Sequence, residues 1–310
     1  MCAYFCWFHR KASFIIALFT VLTSPCFSAT FVVVNTEDSG KGSLRQAILD
    51  SNAHPDIRNT ITFSNTVAGT IYLDSGELLI STYVTILGPG PRVLALDGEG
   101  TSRVFNVTGT NGAVHTVISG LAITNGYGIR GGGVMNNHAT LTLTNCVLTG
   151  NRQNGIYNDG SGAAGVATLY LNACTLNGNF SAGLGGGIFN YGVGGEADIS
   201  ATACTFSANV ANTNQIYNVG GAVCNDGNGG LATLGLFLCT LSGNAAGQGG
   251  AIWNTGANGT GVLSVAECTF SGNWAFIGGA IYNNNFRRGQ RFGATQRYDF
   301  EGRRLGRKHR

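Results

Sequence analysis

The second half of the chain repeats one pattern of apolar and polar positions, and each copy centres on a cysteine. Five and three residues before each of these cysteines, the chain carries an apolar or small residue. Alternation with a period of two predicts a strand with one buried face. The cysteine and the Leu or Phe two residues after it form a second alternating pair. The repeat cysteines are Cys146, Cys174, Cys204, Cys239 and Cys268.

The two alternating pairs in each copy are out of phase, because the step from the first pair to the cysteine is three residues. A strand cannot change its inward face without a corner, so we predict a turn just before each cysteine. A Gly-Asn or Ala-Asn pair follows the second strand and predicts a second corner, since these residue types tolerate left-handed backbone angles. An Ile or Val after a later Gly pair is the third inward position.

Three short strands and three corners in each copy predict one coil of an all-β, right-handed parallel β-helix. A repeat of about 20 to 50 residues is typical of a solenoid, in which each unit buries its apolar face against its neighbours. We expect regular coils over 131–285, an N-terminal cap and irregular first coils over 29–130, and about eight coils in all. The closing asparagines of the coils are Asn136, Asn158, Asn190, Asn225, Asn254 and Asn283.

A short helix is predicted ahead of the first coils. Ser43 and Gln46 have the spacing of a capping box, and the apolar residues that follow share one face of a helix over 43–53. Such a helix would cover the open first coil, as the terminal unit of a solenoid requires. Strands without the cysteine motif are predicted at 60–63, 70–73, 77–80, 84–87, 93–96, 104–107 and 116–124.

The two ends of the chain differ from its body. Residues 1–28 carry a basic stretch and an apolar run shorter than the about 20 residues that span a bilayer, which predicts a signal peptide and a mature chain without a transmembrane segment. Residues 286–310 have nine Lys or Arg against two Asp or Glu, which predicts a basic, disordered tail. The alternatives are a break in the reading frame after Asn285, with further coils and an anchor beyond it, and a tail that binds an anionic polymer.

The net charge of +3 is an average of unlike parts. Residues 29–285 have seven Lys or Arg against thirteen Asp or Glu. The body of the chain is therefore weakly acidic, and we do not expect it to bind nucleic acid.

Two segments resemble known bacterial proteins. Gly-Gly-Ala-Ile at 249–252 and 278–281, with Phe-Ser-Gly-Asn at 270–273, is similar to the repeat of the polymorphic outer membrane proteins, which are bacterial surface adhesins. Gly-Ser-Leu-Arg-Gln-Ala-Ile at 42–48 resembles the Cys-Ser-Leu-Arg-Glu-Ala segment at the start of many secreted bacterial β-helix proteins, with Gly in place of Cys. The resemblance implies a β-helix that is secreted or held at the outer cell surface.

Few residues in the regular coils are candidates for catalysis. Asp159 and Asp226 follow equivalent asparagines with Tyr191 in the coil between them, which predicts a separation of about 9.6 Å. Inverting glycosidases place their two carboxyl groups about 6.5 to 9.5 Å apart. Arg152 is the only Arg or Lys of 131–285. Both acids precede Gly, as ordinary turn residues do.

Two functions are compatible with this sequence. The first is an adhesive or structural surface without catalysis or cofactor, whose partner is a glycan or a ligand on a host or neighbouring cell. The alternative is a lyase or hydrolase of acidic glycans, since pectate lyases and polygalacturonases share this architecture, and a lyase would use Ca²⁺. A site in the irregular coils, formed by Asp74, Asp97, Arg92 and Arg103, also stays open.

The remaining polar residues of the repeats have structural interpretations. The repeat cysteines are expected to be buried as small hydrophobes, with no metal site, because no His or second Cys lies at ligand spacing. Cys224 falls on the solvent side of its strand, which predicts a reactive thiol. The repeat asparagines are expected to turn corners and to bond one another through stacked amides. His115 and His138 are expected to be structural.

Overall fold

The computed structural model describes residues 28–55 and 58–284, which form a parallel β-helix of about nine coils. The predicted fold is thereby confirmed. The signal peptide predicted at 1–28 and the tail predicted at 286–310 lie outside the described residues, apart from residue 28.

The described part of the chain contains one α-helix and short strands throughout. In chain order the elements are β1 (Thr30–Val33), α1 (Leu44–Asn52), β2 (Asn59–Phe63), β3 (Gly69–Tyr72), β4 (Leu78–Ile80), β5 (Val84–Leu87), β6 (Leu94–Asp97), β7 (Phe105–Thr108), β8 (His115–Ser119), β9 (Ala122–Thr124), β10 (Val134–Asn137), β11 (Thr140–Thr144), β12 (Val147–Thr149), β13 (Ile156–Asp159), β14 (Val166–Asn172), β15 (Thr175–Asn177), β16 (Phe180–Ser181), β17 (Ile188–Tyr191), β18 (Glu196–Thr202), β19 (Thr205–Ser207), β20 (Val210–Ala211), β21 (Val223–Asp226), β22 (Leu231–Phe237), β23 (Thr240–Ser242), β24 (Ala245–Ala246), β25 (Ile252–Thr255), β26 (Thr260–Ala266), β27 (Thr269–Ser271) and β28 (Ile281–Asn284).

Three long parallel sheets form the sides of the helix. Sheet 1 has the order β1-β2-β5-β8-β11-β14-β18-β22-β26, sheet 2 the order β3-β6-β9-β12-β15-β19-β23-β27, and sheet 3 the order β4-β7-β10-β13-β17-β21-β25-β28. A small sheet, β16-β20-β24, lies in the connections between sheets 2 and 3. Equivalent residues pair from coil to coil, as Leu143 does with Leu171. Like residues therefore stack in columns.

The corners lie where the break in alternation predicts them. The residue before each repeat cysteine has a left-handed φ between 49° and 54°, and the residue before the following asparagine has one between 52° and 65°. These residues are Asn145, Ala173, Ala203, Leu238 and Glu267 at the first corner, and Gly150, Gly178, Ala208, Gly243 and Gly272 at the second. The left-handed residue redirects the chain within one step, which changes the inward face between strands.

Helix α1 covers the first coil, as predicted. Leu44 and Ile48 are buried, and the helix packs on β1, β2 and β4. The hydroxyl of Ser43 accepts a hydrogen bond from the backbone N–H of Gln46 at 3.1 Å. The reciprocal half of the predicted capping box is wrong, because the Gln46 amide donates instead to Asp50 Oδ1 at 2.8 Å.

Two features of the first coils differ from expectation. Strand β1 was not predicted, and it adds a coil ahead of the helix. The strand predicted over 116–124 is two strands, β8 and β9. Gly120 has a φ of 63° and occupies the first corner. Leu121 takes the position that cysteine occupies in the later coils, because its carbonyl accepts the equivalent hydrogen bond, from Val147 N–H. The coil is regular, but a motif centred on cysteine does not detect it.

Two ladders of asparagines line the corners of the helix, and all of these side chains are buried except those of Asn273 and Asn283 in the last coil. In each ladder the amide Nδ2 of one coil donates to Oδ1 of the next, at 2.6 to 2.9 Å in the first and 2.9 to 3.0 Å in the second. The prediction of stacked amides is confirmed. The first ladder runs through Asn136, Asn158, Asn190, Asn225, Asn254 and Asn283, and the second through Asn151, Asn179, Asn209, Asn244 and Asn273.

Within residues 28–55 and 58–284, no helix has the length and apolar character needed to span a bilayer.

Candidate functional site

The outward face of sheet 3 carries a column of large side chains. Met135, Tyr157, Phe189, Cys224 and Trp253 occupy the same strand position in five consecutive coils. Although they point away from the core of the β-helix, Tyr157 and Phe189 are only 2% and 6% exposed, and their rings meet edge to face with centroids 5.0 Å apart. The column is therefore a second, smaller apolar cluster outside the main core.

A cleft of about 520 Å³ opens at this cluster. Its lining includes Arg130 from the loop before β10, the aromatic rings of Tyr157, Phe189 and Tyr191, and the carboxylate of Asp226. The Phe189 and Tyr191 rings lie 5.2 Å apart. The cleft thus combines an aromatic wall with one cation and one acid.

Arg130 is the cation of the cleft. Its guanidinium carbon lies 5.2 Å from the ring centroid of Tyr157 and 6.0 Å from that of Tyr191, within the range of a cation–π contact. Its Nη1 lies 3.9 Å from Asp159 Oδ2, and the arginine side chain is 54% exposed against 9% for Asp159. The guanidinium is therefore oriented by the protein while most of its donors stay open to solvent.

Glycine at position 131 sets the path of the loop that holds Arg130. Gly131 has a φ of 59°, and a Cβ atom at this position would lie 2.9 Å from Cβ of Tyr157. A side chain here would push the loop off the aromatic column. Sequence reasoning missed Arg130 because it lies one residue before the regular coils, and the available signal was the Gly pair that follows it.

Asp159 and Asp226 lie in one column with Tyr191 between them, as predicted. Asp159 Oδ1 accepts hydrogen bonds from the backbone N–H and the hydroxyl of Ser161, at 3.1 and 2.6 Å. Asp226 Oδ1 accepts one from Asn228 N–H at 3.0 Å. Both acids hold turns, and only Asp226 belongs to the cleft lining.

Burial raises the pKa of two groups in the site. It raises the pKa of Asp226, opposed by the hydrogen bond from Asn228. It also raises the pKa of the Tyr157 phenol far above its ordinary value, and the neighbouring Asp159 acts in the same direction. Tyr157 is thus neutral across the physiological range and serves as an apolar surface.

Arg152 is not brought together with the two acids. It is exposed and lies at the corner after sheet 2, where its backbone bridges Tyr127 and Phe180 of the neighbouring coils. Its side chain does not line the cleft. Of the three candidates, two share a column and the third lies elsewhere.

The candidate residues of the irregular coils are largely engaged in structural contacts. Arg103 Nη1 contacts Glu77 Oε2 at 2.7 Å, and its other nitrogens donate to backbone carbonyls of the loop that contains Arg130. Asp97 Oδ1 accepts from Glu99 N–H at 2.7 Å and from the Asn125 amide at 3.0 Å. Asp74 hydrogen-bonds to Glu99, which raises the pKa of Glu99. No described contact brings Arg92 to these acids.

The two histidines have the structural roles that were expected. His115 stacks on Tyr83 with ring centroids 5.0 Å apart. His138 lies between Asn137 Oδ1 at 2.6 Å and the carbonyl of Ser161 at 2.8 Å.

The prediction that Cys224 is a reactive thiol is wrong. Its strand position does point outward, but the side chain is 0% exposed and packs in the apolar cluster with Val219. Burial raises its pKa well above the ordinary value. The connections between sheets 2 and 3 fold over this face, so the solvent side of the strand is not at the surface.

In the described part of the chain, no group of three or more His, Cys, Asp or Glu side chains converges as metal ligands. A Ca²⁺ site of the lyase type is therefore not found among these residues.

Comparisons of the chain with protein-family models, curated protein sequences and solved structures give no match. The chemistry of the cleft therefore follows from its own groups. Aromatic faces bind the apolar faces of sugar rings, and a guanidinium binds carboxylate or phosphate through two parallel hydrogen bonds.

Proposed function

We propose that this chain is a secreted or cell-surface β-helix protein with an adhesive role, which holds an acidic glycan in the cleft of sheet 3 without cleaving it. The observation that carries the proposal is the position of Arg130, exposed at the rim and fixed above the rings of Tyr157 and Tyr191.

The cleft has the composition of a carbohydrate site. Tyr191 is partly exposed and offers a ring on which a sugar can stack, while Arg130 offers donors to a sugar carboxylate. Ligand clefts of a few hundred Å³ with apolar walls and few polar groups are typical of small-molecule and glycan recognition. These groups account for affinity toward an anionic sugar.

The positions of the acids favour binding over cleavage. Asp159 and Asp226 are two strand spacings apart, about 9.6 Å, which is at the upper edge of the range of about 6.5 to 9.5 Å for inverting glycosidases, so the case against cleavage depends on what each carboxylate contacts. Asp159 is also committed to Ser161 and Arg130. Asp226 alone faces the cleft, and a hydrolase needs a second acid or base beside it.

The surface location is supported by sequence. Three segments resemble those of exported bacterial proteins. They are the apolar run within residues 1–28, the segment at 42–48, and the Gly-Gly-Ala-Ile and Phe-Ser-Gly-Asn repeats. A β-helix presents long flat faces, which suits contact with an extended polymer.

Retention of the full-length protein on immobilised glycans tests the proposal. Pectate and alginate serve as acidic ligands, and unsubstituted neutral polysaccharides serve as controls. We expect retention on the acidic ligands that weakens as salt is added, because ion pairs at a half-exposed arginine are screened. Failure to bind any acidic glycan would rule out this role for the cleft.

A further inference from the structure

The five repeat cysteines form a continuous column, here called the cysteine column, along the inside of the β-helix. Each follows the first corner and precedes a strand of sheet 2. The carbonyl of each of the first four cysteines accepts a hydrogen bond at 2.9 Å from the residue after the next cysteine, as Cys146 O does from Thr175 N–H. The cysteines are therefore in register, one strand spacing of about 4.8 Å apart.

All members of the column are free thiols. Cys146, Cys174, Cys204 and Cys239 are each 1% exposed, and Cys268 is partly exposed. The column therefore has a closed interior and one accessible end.

Backbone N–H groups of the column contact the sulfurs of the next coil. Cys204 Sγ accepts a hydrogen bond from Cys174 N–H at 3.4 Å, and Cys268 Sγ accepts one from Cys239 N–H at 3.3 Å. The thiols donate to backbone carbonyls, as Cys174 Sγ does to Leu143 O at 3.3 Å and Cys204 Sγ does to Thr202 O at 3.2 Å. Each sulfur therefore carries a proton that a bound cation can displace.

We propose that the cysteine column binds soft monovalent cations, Cu(I) or Ag(I), each held in line between two neighbouring sulfurs. The cation forms a bond to one sulfur and displaces its proton to solvent. The neighbouring neutral thiol donates a sulfur lone pair to form the second bond. No electrons are transferred in this step.

The spacing of the coils fits two-coordinate binding. A zinc–thiolate bond is about 2.3 Å long. Two metal–sulfur bonds of similar length on either side of a cation span about 4.6 Å, close to the strand spacing of about 4.8 Å. Thiolate and thiol sulfurs favour soft cations such as Cu(I). The ligands are distant in sequence and become neighbours only when the coils stack, so ligand spacing along the chain does not reveal them.

The charge of the buried site selects a monovalent ion. One monovalent cation replaces one proton, so the column keeps its net charge and avoids the cost of burying an unpaired ion. Zn²⁺ would require further ligands in tetrahedral geometry, and no third ligand converges on any pair of cysteines within residues 28–55 and 58–284. Cys268 provides the point of entry.

Two double variants with equal numbers of thiols test the proposal. Both are made in the full-length chain with Cys2, Cys6 and Cys26 changed to Ser, so that every remaining cysteine lies within residues 58–284. Cys146→Ser with Cys174→Ser leaves Cys204, Cys239 and Cys268 as neighbours. Cys174→Ser with Cys239→Ser leaves three cysteines with no neighbour in the column. Serine can keep the hydrogen bonds that the thiols of Cys174 and Cys239 donate to carbonyls.

Silver(I) titration in chloride-free buffer provides the measurement, with calorimetry for affinity, a pH indicator for released protons and circular dichroism to confirm folding. We expect one proton released per silver ion, and at least about 100-fold tighter binding by the variant with neighbouring thiols. Cys224→Ser, outside the column, should bind as its parent does. Equal affinities of the two double variants, or a folded parent that binds no silver, would overturn the proposal.

Should the variant without neighbours fail to fold, Cys204→Ser replaces it. This change divides the column into two pairs, Cys146 with Cys174 and Cys239 with Cys268. The proposal then requires two tightly bound silver ions, and binding of one ion by each of the four thiols would contradict it.

Discussion

The side-chain amide of Asn158 donates a hydrogen bond to Oδ1 of Asn190 in the next coil at 2.7 Å, with both side chains fully buried. The amide of Asn190 in turn donates to Oδ1 of Asn225 at 2.7 Å, and it also donates to the carbonyl of Ala197 at 2.8 Å. Each asparagine thus closes a corner and ties it to the adjacent coil. The ladder couples the coils of the β-helix to one another.

Replacing one member of the ladder should destabilise the whole fold. Asn190→Ala removes these bonds and leaves Oδ1 of Asn225 without its coil-to-coil partner. We expect a loss of about 2 to 4 kcal/mol in the free energy of unfolding, measured by urea denaturation. Asn172→Ala is the matched control, since Asn172 is exposed. A loss no larger than that of the control would contradict a stabilising role for the ladder.

Relieving the left-handed strain at a corner should stabilise the protein. Ala203 is exposed and has a φ of 53°, which glycine adopts without steric cost. We expect Ala203→Gly to raise the free energy of unfolding by about 0.5 to 1 kcal/mol. The same change at exposed Ala266, the last residue of β26 and one without a left-handed φ, should lower it by a similar amount. Thermal unfolding of the two variants gives the comparison, and equal shifts would argue against strain.

Neutralising the partly buried acid of the cleft should stabilise the fold near neutral pH. Burial raises the pKa of Asp226, so its ionisation opposes folding above the folded-state pKa. Asp226→Asn can keep the bond from Asn228 N–H and removes this penalty. The advantage of the variant should shrink as pH falls through the raised pKa and vanish below the ordinary Asp value of about 3.9.

Urea denaturation of wild type and Asp226→Asn across this pH range measures the effect. Glu37→Gln, at an exposed carboxylate, is the control for a general change in charge. An Asp226→Asn advantage that is constant with pH would show that ionisation of this carboxyl is not its source.

Two arginine variants distinguish the cleft from the remaining surface. Arg130 lines the cleft, whereas Arg152 is exposed at a corner outside it. Arg130→Gln should weaken binding of acidic glycan at least about tenfold through loss of charge-assisted hydrogen bonds. Arg152→Gln changes the net charge equally and should leave affinity unchanged. Affinity electrophoresis in pectate gels measures both, and equal losses would place binding outside the cleft.

The corners and columns of the fold could be predicted because they follow from backbone geometry repeated in every coil. The break in alternation before Cys174 requires a left-handed residue, and Ala173 is found there with a φ of 50°. The cleft could not be predicted in the same way. Arg130 and the burial of Cys224 depend on the path of variable loops over sheet 3, and periodicity carries no information about such paths.

The proposed role of the cleft is to hold an acidic glycan without breaking it. The most direct test incubates the full-length protein with pectate and with alginate, with and without Ca²⁺, and follows ultraviolet absorbance of unsaturated product together with reducing ends. We expect glycan retention with neither signal above that of a heat-denatured control. Release of unsaturated product or new reducing ends would contradict it and would identify a polysaccharide lyase or hydrolase instead.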